Sequence, residues 1–143
     1  MNILIAEDSA TLRHAMCQYI KNAGHNPMVA TNGEEALQMF DAKVVDMVVM
    51  DVEMPGLDGF ETTRLMREWL EKDDLWLPII FVTGKHEEED LRRGIDVGGD
   101  DYLIKPVSET ILLAKIRAME RIIAMRDELQ RLNKSLVELS ERD

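Results

Sequence analysis

Cysteine is almost missing from this chain of 143 residues: Cys17 stands alone. No intrachain disulfide can form, which fits a reducing compartment and sets a cytoplasmic location as the expectation. Aromatic residues make up only 5% of the sequence, so aliphatic and methionine side chains must fill the core. No apolar run approaches the ~18 residues of a bilayer span, and Glu7 and Asp8 arrive too early for a signal peptide. Positive charge is also short, with 17 basic against 28 acidic residues and a net charge of −11. Nucleic acid and anionic lipid demand clustered Lys or Arg. Direct nucleic-acid binding and membrane attachment are therefore not expected.

What remains is a chain of one-domain size with a 45% hydrophobic content that allows a proper core. Short apolar runs alternate with helix-length amphipathic segments, the pattern of an α/β fold built on a parallel sheet. The runs predict strands at Asn2 to Glu7, Pro27 to Ala30, Asp46 to Met50, Ile79 to Val82 and Asp101 to Ile104. Pro27 marks its strand as an edge. Ser9 reads as the N-cap of the first helix, with Gly24 as its stop. Asn32 to Glu35 reads as a capping box, and Asp58 with Glu61 caps a third helix that should bury Leu65, Met66, Trp69 and Leu70. The acids of the run His86 to Asp90 suit the first turn of a fourth helix. Most of the ten methionines read as core gap-fillers.

Four polar positions sit where apolar runs stop: Glu7-Asp8, Asp51, Thr83 and Lys105, the last followed by Pro106. Open parallel sheets bind ligands outside the carboxyl ends of their strands, so these residues should converge on one crevice. Like-charged carboxylates 4 Å apart repel by roughly 4 kcal/mol at an effective dielectric of 20, and a divalent cation removes that cost. Mg²⁺ suits a site with few protein carboxylates and a phosphate ligand. One carboxylate can then attack phosphorus, while the lysine and hydroxyl stabilise the transferred group.

With these residues in this order, residues 1–120 resemble a two-component response-regulator receiver domain. The resemblance is carried by Glu7-Asp8, by Asp51 in the run Asp51 to Gly59, by Thr83-Gly84 and by Lys105-Pro106. It implies a doubly wound five-stranded sheet of order 2-1-3-4-5 with five helices. It implies that Asp51 accepts a phosphoryl group from a histidine kinase or phosphotransfer protein. Asp8, Asp51 and the backbone carbonyl of Glu53 would bind Mg²⁺, with Glu7 acting mostly through water. Lys105, after a cis peptide to Pro106, would pair with the phosphoryl group and Thr83 would bond it. Tyr102 would turn inward on activation, and the response would spread over helix 4, strand 5 and helix 5. Glu53 and Lys85 occupy the two positions thought to govern hydrolysis, and are expected to form a charged lid.

Other readings compete. Taken singly, Asp8 and Asp51 are ordinary caps, and Thr83 and Tyr102 are ordinary strand residues. An aspartate-nucleophile phosphatase of the haloacid-dehalogenase type needs a second acid two residues on, where Glu53 stands in place of the usual residue. A flavin-binding module needs a phosphate loop after strand 1, where Glu7 and Asp8 would repel it. His14 and Cys17 are two ligands without a third. Trp69 and Trp76 read as the edge of the core.

From Ser108 to Ser140 there is no Pro or Gly, so the fifth helix can run about 30 residues, or ~45 Å. Ile122, Met125, Leu129, Leu132, Leu136 and Leu139 alternate spacings of three and four, the seam of a coiled coil. Residues 121–143 are thus expected to be a helical linker, pairing two copies into a homodimer. The chain stops at Asp143 without a cap signal, which sets the expectation of a missing output domain. The helix resembles connectors leading to diguanylate cyclase, phosphatase or kinase domains.

Overall fold

The computed structural model describes residues 1–84 and 87–141. Five strands and five helices alternate: β1 (Asn2–Ala6), α1 (Ala10–Asn22), β2 (Asn26–Ala30), α2 (Gly33–Met39), β3 (Met47–Asp51), α3 (Gly59–Lys72), β4 (Ile79–Thr83), α4 (Glu88–Asp96), β5 (Asp101–Ile104) and α5 (Glu109–Ser140). The sheet is parallel throughout with order β2-β1-β3-β4-β5, as the sequence pattern and the resemblance imply. Predicted strand edges are off by a residue, within the fraying expected of any boundary.

The two-residue period of each strand splits the core. Leu4, Ala6, Val48, Met50, Ile79 and Phe81 face α2 and α3, packing with Ala36, Phe60, Met66 and Leu70. Ile3, Ile5, Met47, Val49, Ile80 and Val82 face the other way, onto Met16 and Ile20 of α1 and Leu112, Ile116 and Met119 of α5. Nine of the ten methionines lie in or against these cores; Met125 is the exception, 63% exposed.

Three caps fall where the sequence placed them: Ser9, Asn32 and Asp58 each accept an N-terminal amide of their helix. Ser108, which the sequence reading did not single out as a cap, does the same for α5. Gly24 takes a positive φ of 88° after α1. The capping box at α2 is displaced by one residue, because Glu35 reaches the amide and hydroxyl of Thr31 and not the amide of Asn32. The α4 cap is Glu87, without a side-chain bond, and Glu88, Glu89 and Asp90 fill the first turn.

The third helix differs from expectation in which face it buries. Trp69 is 42% exposed and Leu65 only half-buried, while Phe60, Thr62 and Thr63 go inside with Met66 and Leu70. Near its start α3 is closely approached by α2. Gly33 leaves no room between itself, the Thr62 hydroxyl and the Leu57 carbonyl. Thr62 satisfies its hydroxyl by donating to the Asp58 carbonyl at 2.7 Å, so it can be buried there. Trp69 is left on the rim, tilted over Phe40 with 6.3 Å between centroids.

A half-buried arginine ties the far end of the sheet together. Arg67 of α3 donates to the Gly98 carbonyl at 2.8 Å, to the Leu77 carbonyl at 2.7 Å and to Asp100 at 2.7 Å. Asp100 in turn accepts the Ile79 amide at 2.8 Å, so α3, β4 and the turn into β5 share one clamp. Among the described residues no helix is long and apolar enough to cross a membrane.

Candidate functional site

Because the strands are parallel, their carboxyl ends share one edge. Ala6 lies beside Met50, Asp51 beside Val82, and Thr83 beside Ile104. Glu7 and Asp8 leave β1 at that edge, Asp51 is the last residue of β3, and Lys105 follows β5. Glu7 and Asp51 are fully buried, while Asp8 is exposed and opens the group to solvent. One oxygen from each of Glu7, Asp8 and Asp51 falls within 4.8 Å of the others. Among the described residues this is the single cluster of three or more metal-type ligands, so His14 and Cys17 gather no third partner.

Lys105 closes the crevice. Its Nζ lies 3.1 Å from Asp51 Oδ1 and 3.8 Å from Glu7 Oε1, after a cis Lys105–Pro106 peptide as the resemblance implied. The Glu53 amide donates to Asp51 Oδ1 at 3.2 Å, and the Asp8 amide donates to Glu7 Oε2 at 3.1 Å. Each buried carboxylate therefore has one bonded oxygen. Glu7 Oε1 and Asp51 Oδ2 are buried without a hydrogen-bond partner.

The electrostatics follow. Burial, and then the adjoining Asp51 carboxyl, push the Glu7 carboxyl up to about 8. Burial acts to lower the Lys105 ammonium, but Asp51, Glu7 and Glu53 outweigh it and hold the group above the ordinary lysine value. Two buried oxygens without hydrogen-bond partners, beside a third, exposed carboxylate, make a donor set suited to a hard divalent cation such as Mg²⁺.

Backbone features that sequence reasoning missed hold these groups in place. Gly59 donates to the Val52 carbonyl at 3.0 Å, and any Cβ there would collide with the Asp51 carbonyl. Gly56, with φ 76°, turns the loop so that Leu57 donates to Glu34 of α2 at 3.2 Å. Arg13 of α1 reaches back to the Glu7 carbonyl at 3.0 Å and steadies the turn after β1. The tight contacts of Gly56 and Gly59 depend on chain folded from elsewhere.

Thr83 is buried at the end of β4, and its carbonyl accepts the Lys105 amide at 2.9 Å. The Glu53 side chain is exposed at the mouth, and Lys85 lies outside the described residues. Tyr102 is not part of the crevice. Its ring packs 5.8 Å from Phe81, and its hydroxyl donates to the Leu91 carbonyl of α4.

A family model for the response regulator receiver domain matches residues 3–117. This chain belongs to that family. The match favours a receiver over a haloacid-dehalogenase phosphatase or a flavin module. The receiver is 36% identical over 120 residues to the transcriptional regulatory protein AfsQ1 of Streptomyces coelicolor, covering 84% of this chain and 51% of that protein. It is 33% identical over 123 residues to the phosphate regulon regulator PhoB of Escherichia coli, covering 85% and 52%. The chain thus spans about half the length of these relatives. Among solved structures, the Vibrio cholerae chemotaxis protein CheY4 superposes with a TM-score of 0.76 at 27% identity, covering 82% of this chain and 97% of that one. A two-component response regulator from Clostridium difficile gives a TM-score of 0.77 at 26% identity, covering 85% and 96%.

Proposed function

We propose that this receiver takes a phosphoryl group onto Asp51 from a histidine kinase or phosphotransfer protein in the cytoplasm. The observation that supports it most is Asp51 itself: fully buried, held on one oxygen by Lys105 and the Glu53 amide, and unpartnered on the other. A carboxylate oxygen attacks phosphorus, the bond to the donor nitrogen breaks, and an acyl phosphate forms. Lys105 offsets charge on the phosphoryl oxygens, and the Thr83 hydroxyl hydrogen-bonds one of them. Asp8, Asp51 and the Glu53 carbonyl would hold Mg²⁺, with Glu7 acting through water. The ion supplies charge neutralisation among the carboxylates. Transfer to Asp51 and loss from it are the only chemistry assigned to the domain.

The signal then passes through Tyr102 on β5, through α4 and through α5 to an output domain beyond it. The 32-residue α5 suits a helical connector of the kind that leads to a diguanylate cyclase. Its exposed apolar stripe supports assembly as a homodimer through α5. Labelling by acetyl phosphate with Mg²⁺ tests the acceptor: wild type should gain one phosphoryl group, and Asp51→Asn none. Negligible turnover of p-nitrophenyl phosphate should accompany this, since a receiver holds the group and a phosphatase cycles it.

A further inference from the structure

Asp51 meets the start of α3 through its backbone. Any Cβ at Gly59 would collide with the Asp51 carbonyl, and the Gly59 amide donates to the Val52 carbonyl at 3.0 Å. The loop after β3 is thereby closed on itself, and its end rests directly on the acceptor. Asp58 and Phe60 flank Gly59, and both are tied down. Asp58 caps α3 by accepting the Glu61 amide at 2.8 Å through Oδ1. Phe60 is buried edge-on against Phe81 of β4, with 5.2 Å between ring centroids. Packing this close passes on a displacement of the Asp51 backbone and does not absorb it.

The same two residues hold α4. The Arg93 guanidinium lies over the Phe60 ring, 4.8 Å from its centroid, and Nη2 is 3.9 Å from Asp58 Oδ2. One position further along α4, a Cβ on Gly94 would press on that same ring. The neighbouring Arg92 behaves differently. Its ion pairs go to Glu89 and Asp96 of its own helix, and among the described residues it has none outside it. Just past the end of α4, the Gly98 carbonyl accepts Arg67 at 2.8 Å. So α4 is pinned to α3 firmly at its far end and lightly at Arg93. An ion pair as long and as exposed as Arg93–Asp58 biases a helix without locking it. A switch needs such a fastening, strong enough to be felt and weak enough to be outweighed.

We propose that Arg93 couples α4 to the acceptor through the start of α3, as a second line beside the one through Tyr102. When Asp51 is occupied, the displacement of its backbone reaches Asp58 and Phe60, and Arg93 delivers it to α4. Arg93 is a positioning residue: it contacts Asp58 and Phe60, not the carboxylates of the crevice. This rests on Asp51 being the acceptor and adds a route by which its state is carried.

Backbone amide NMR of the full chain tests the route, with beryllofluoride and Mg²⁺ as the probe of an occupied Asp51. In wild type the Glu53 and Gly59 amides should shift on addition, and the Gly94 and Ile95 amides with them. Arg93→Gln should keep the shifts at Glu53 and Gly59 and lose at least half of those at Gly94 and Ile95. Arg92→Gln removes the same charge one residue away, at a side chain paired only within α4, and should respond as wild type. Undiminished shifts at Gly94 and Ile95 in Arg93→Gln overturn the proposal. An equal loss in Arg92→Gln also overturns it, since the charge on α4 and not the contact with α3 would then set the response. A wild type whose Glu53 and Gly59 amides stay still overturns the acceptor reading itself, and the Glu53 signal tells that failure apart from failure of the route.

Discussion

The Tyr102 ring lies in the space that Gly94 leaves by having no Cβ. A methyl group there would overlap the tyrosine hydroxyl and press on Phe60. Tyr102 is thereby lodged between β5 and α4, with Phe81 on one side and the Leu91 carbonyl bonded to its hydroxyl. If Tyr102 carries the phosphorylation signal, α4 has to move with it. Gly94→Ala should expel the ring and cost about 1–3 kcal/mol through overpacking. Urea unfolding reads the cost, and NMR of the Tyr102 ring reads its displacement. An unshifted ring at full stability would contradict the lodging.

Glu7 makes the acidic crevice sensitive to pH. Its carboxyl is raised to about 8, above its ordinary value of 4.5, mainly by burial and then by Asp51. Between these values the unfolded chain has lost a proton that the folded, metal-free protein keeps. Rising pH therefore favours the unfolded state across that window, and the stability present below it is lost by its upper end. A divalent cation must displace the same proton. Mg²⁺ affinity should climb with pH by up to about tenfold per unit and level off above the raised value. Glu7→Gln should flatten the slope. Calorimetric titration at several pH values checks both, and a pH-independent wild-type affinity would count against the coupling.

Glu53 reaches into the crevice by its backbone and over it by its side chain. Its amide bonds Asp51, while its exposed carboxylate helps hold the Lys105 ammonium above the usual lysine range. If that carboxylate slows the approach of water, Glu53→Ala should shorten the half-life of phospho-Asp51 several-fold. Phosphate release measured after removal of the donor decides it. Unchanged or slower decay would leave Glu53 as a backbone donor only.

Arg67 carries three bonds that a shorter side chain cannot replace. Arg67→Ala would leave Asp100 without its ion-pair partner and two loop carbonyls unsatisfied, at a cost of about 1–3 kcal/mol. Urea midpoints of the two proteins give the difference. A change under about 1 kcal/mol would mean that water replaces the clamp.

The crevice was readable in the sequence because parallel topology does the assembling. Once Asp51 ends one central strand and Glu7 follows another, their meeting is geometric necessity. Caps at Ser9, Asn32 and Asp58 were equally local, each set by a side chain and an amide three residues on. What the pattern did not give depends on distant partners. Trp69 looks like core by helical period, yet it stays on the rim, 42% exposed beside Phe40. Gly94 and Arg67 carry no local signal at all, since each is defined by a residue at least eight positions away. The apolar repeat on α5 was legible, but its uneven burial was not: Ile122 matches the heptad as well as Leu129 does, yet Ile122 packs half-buried against the body while Leu129 is 68% exposed.

The most direct test of the account is the mass of the intact protein after acetyl phosphate and Mg²⁺. Wild type should gain a single phosphoryl group that is lost on treatment with hydroxylamine, as an acyl phosphate requires. Asp51→Asn should gain none, because an amide does not attack phosphorus. Undiminished labelling of Asp51→Asn, or a wild-type label that survives hydroxylamine, would contradict the assignment of Asp51 as the acceptor.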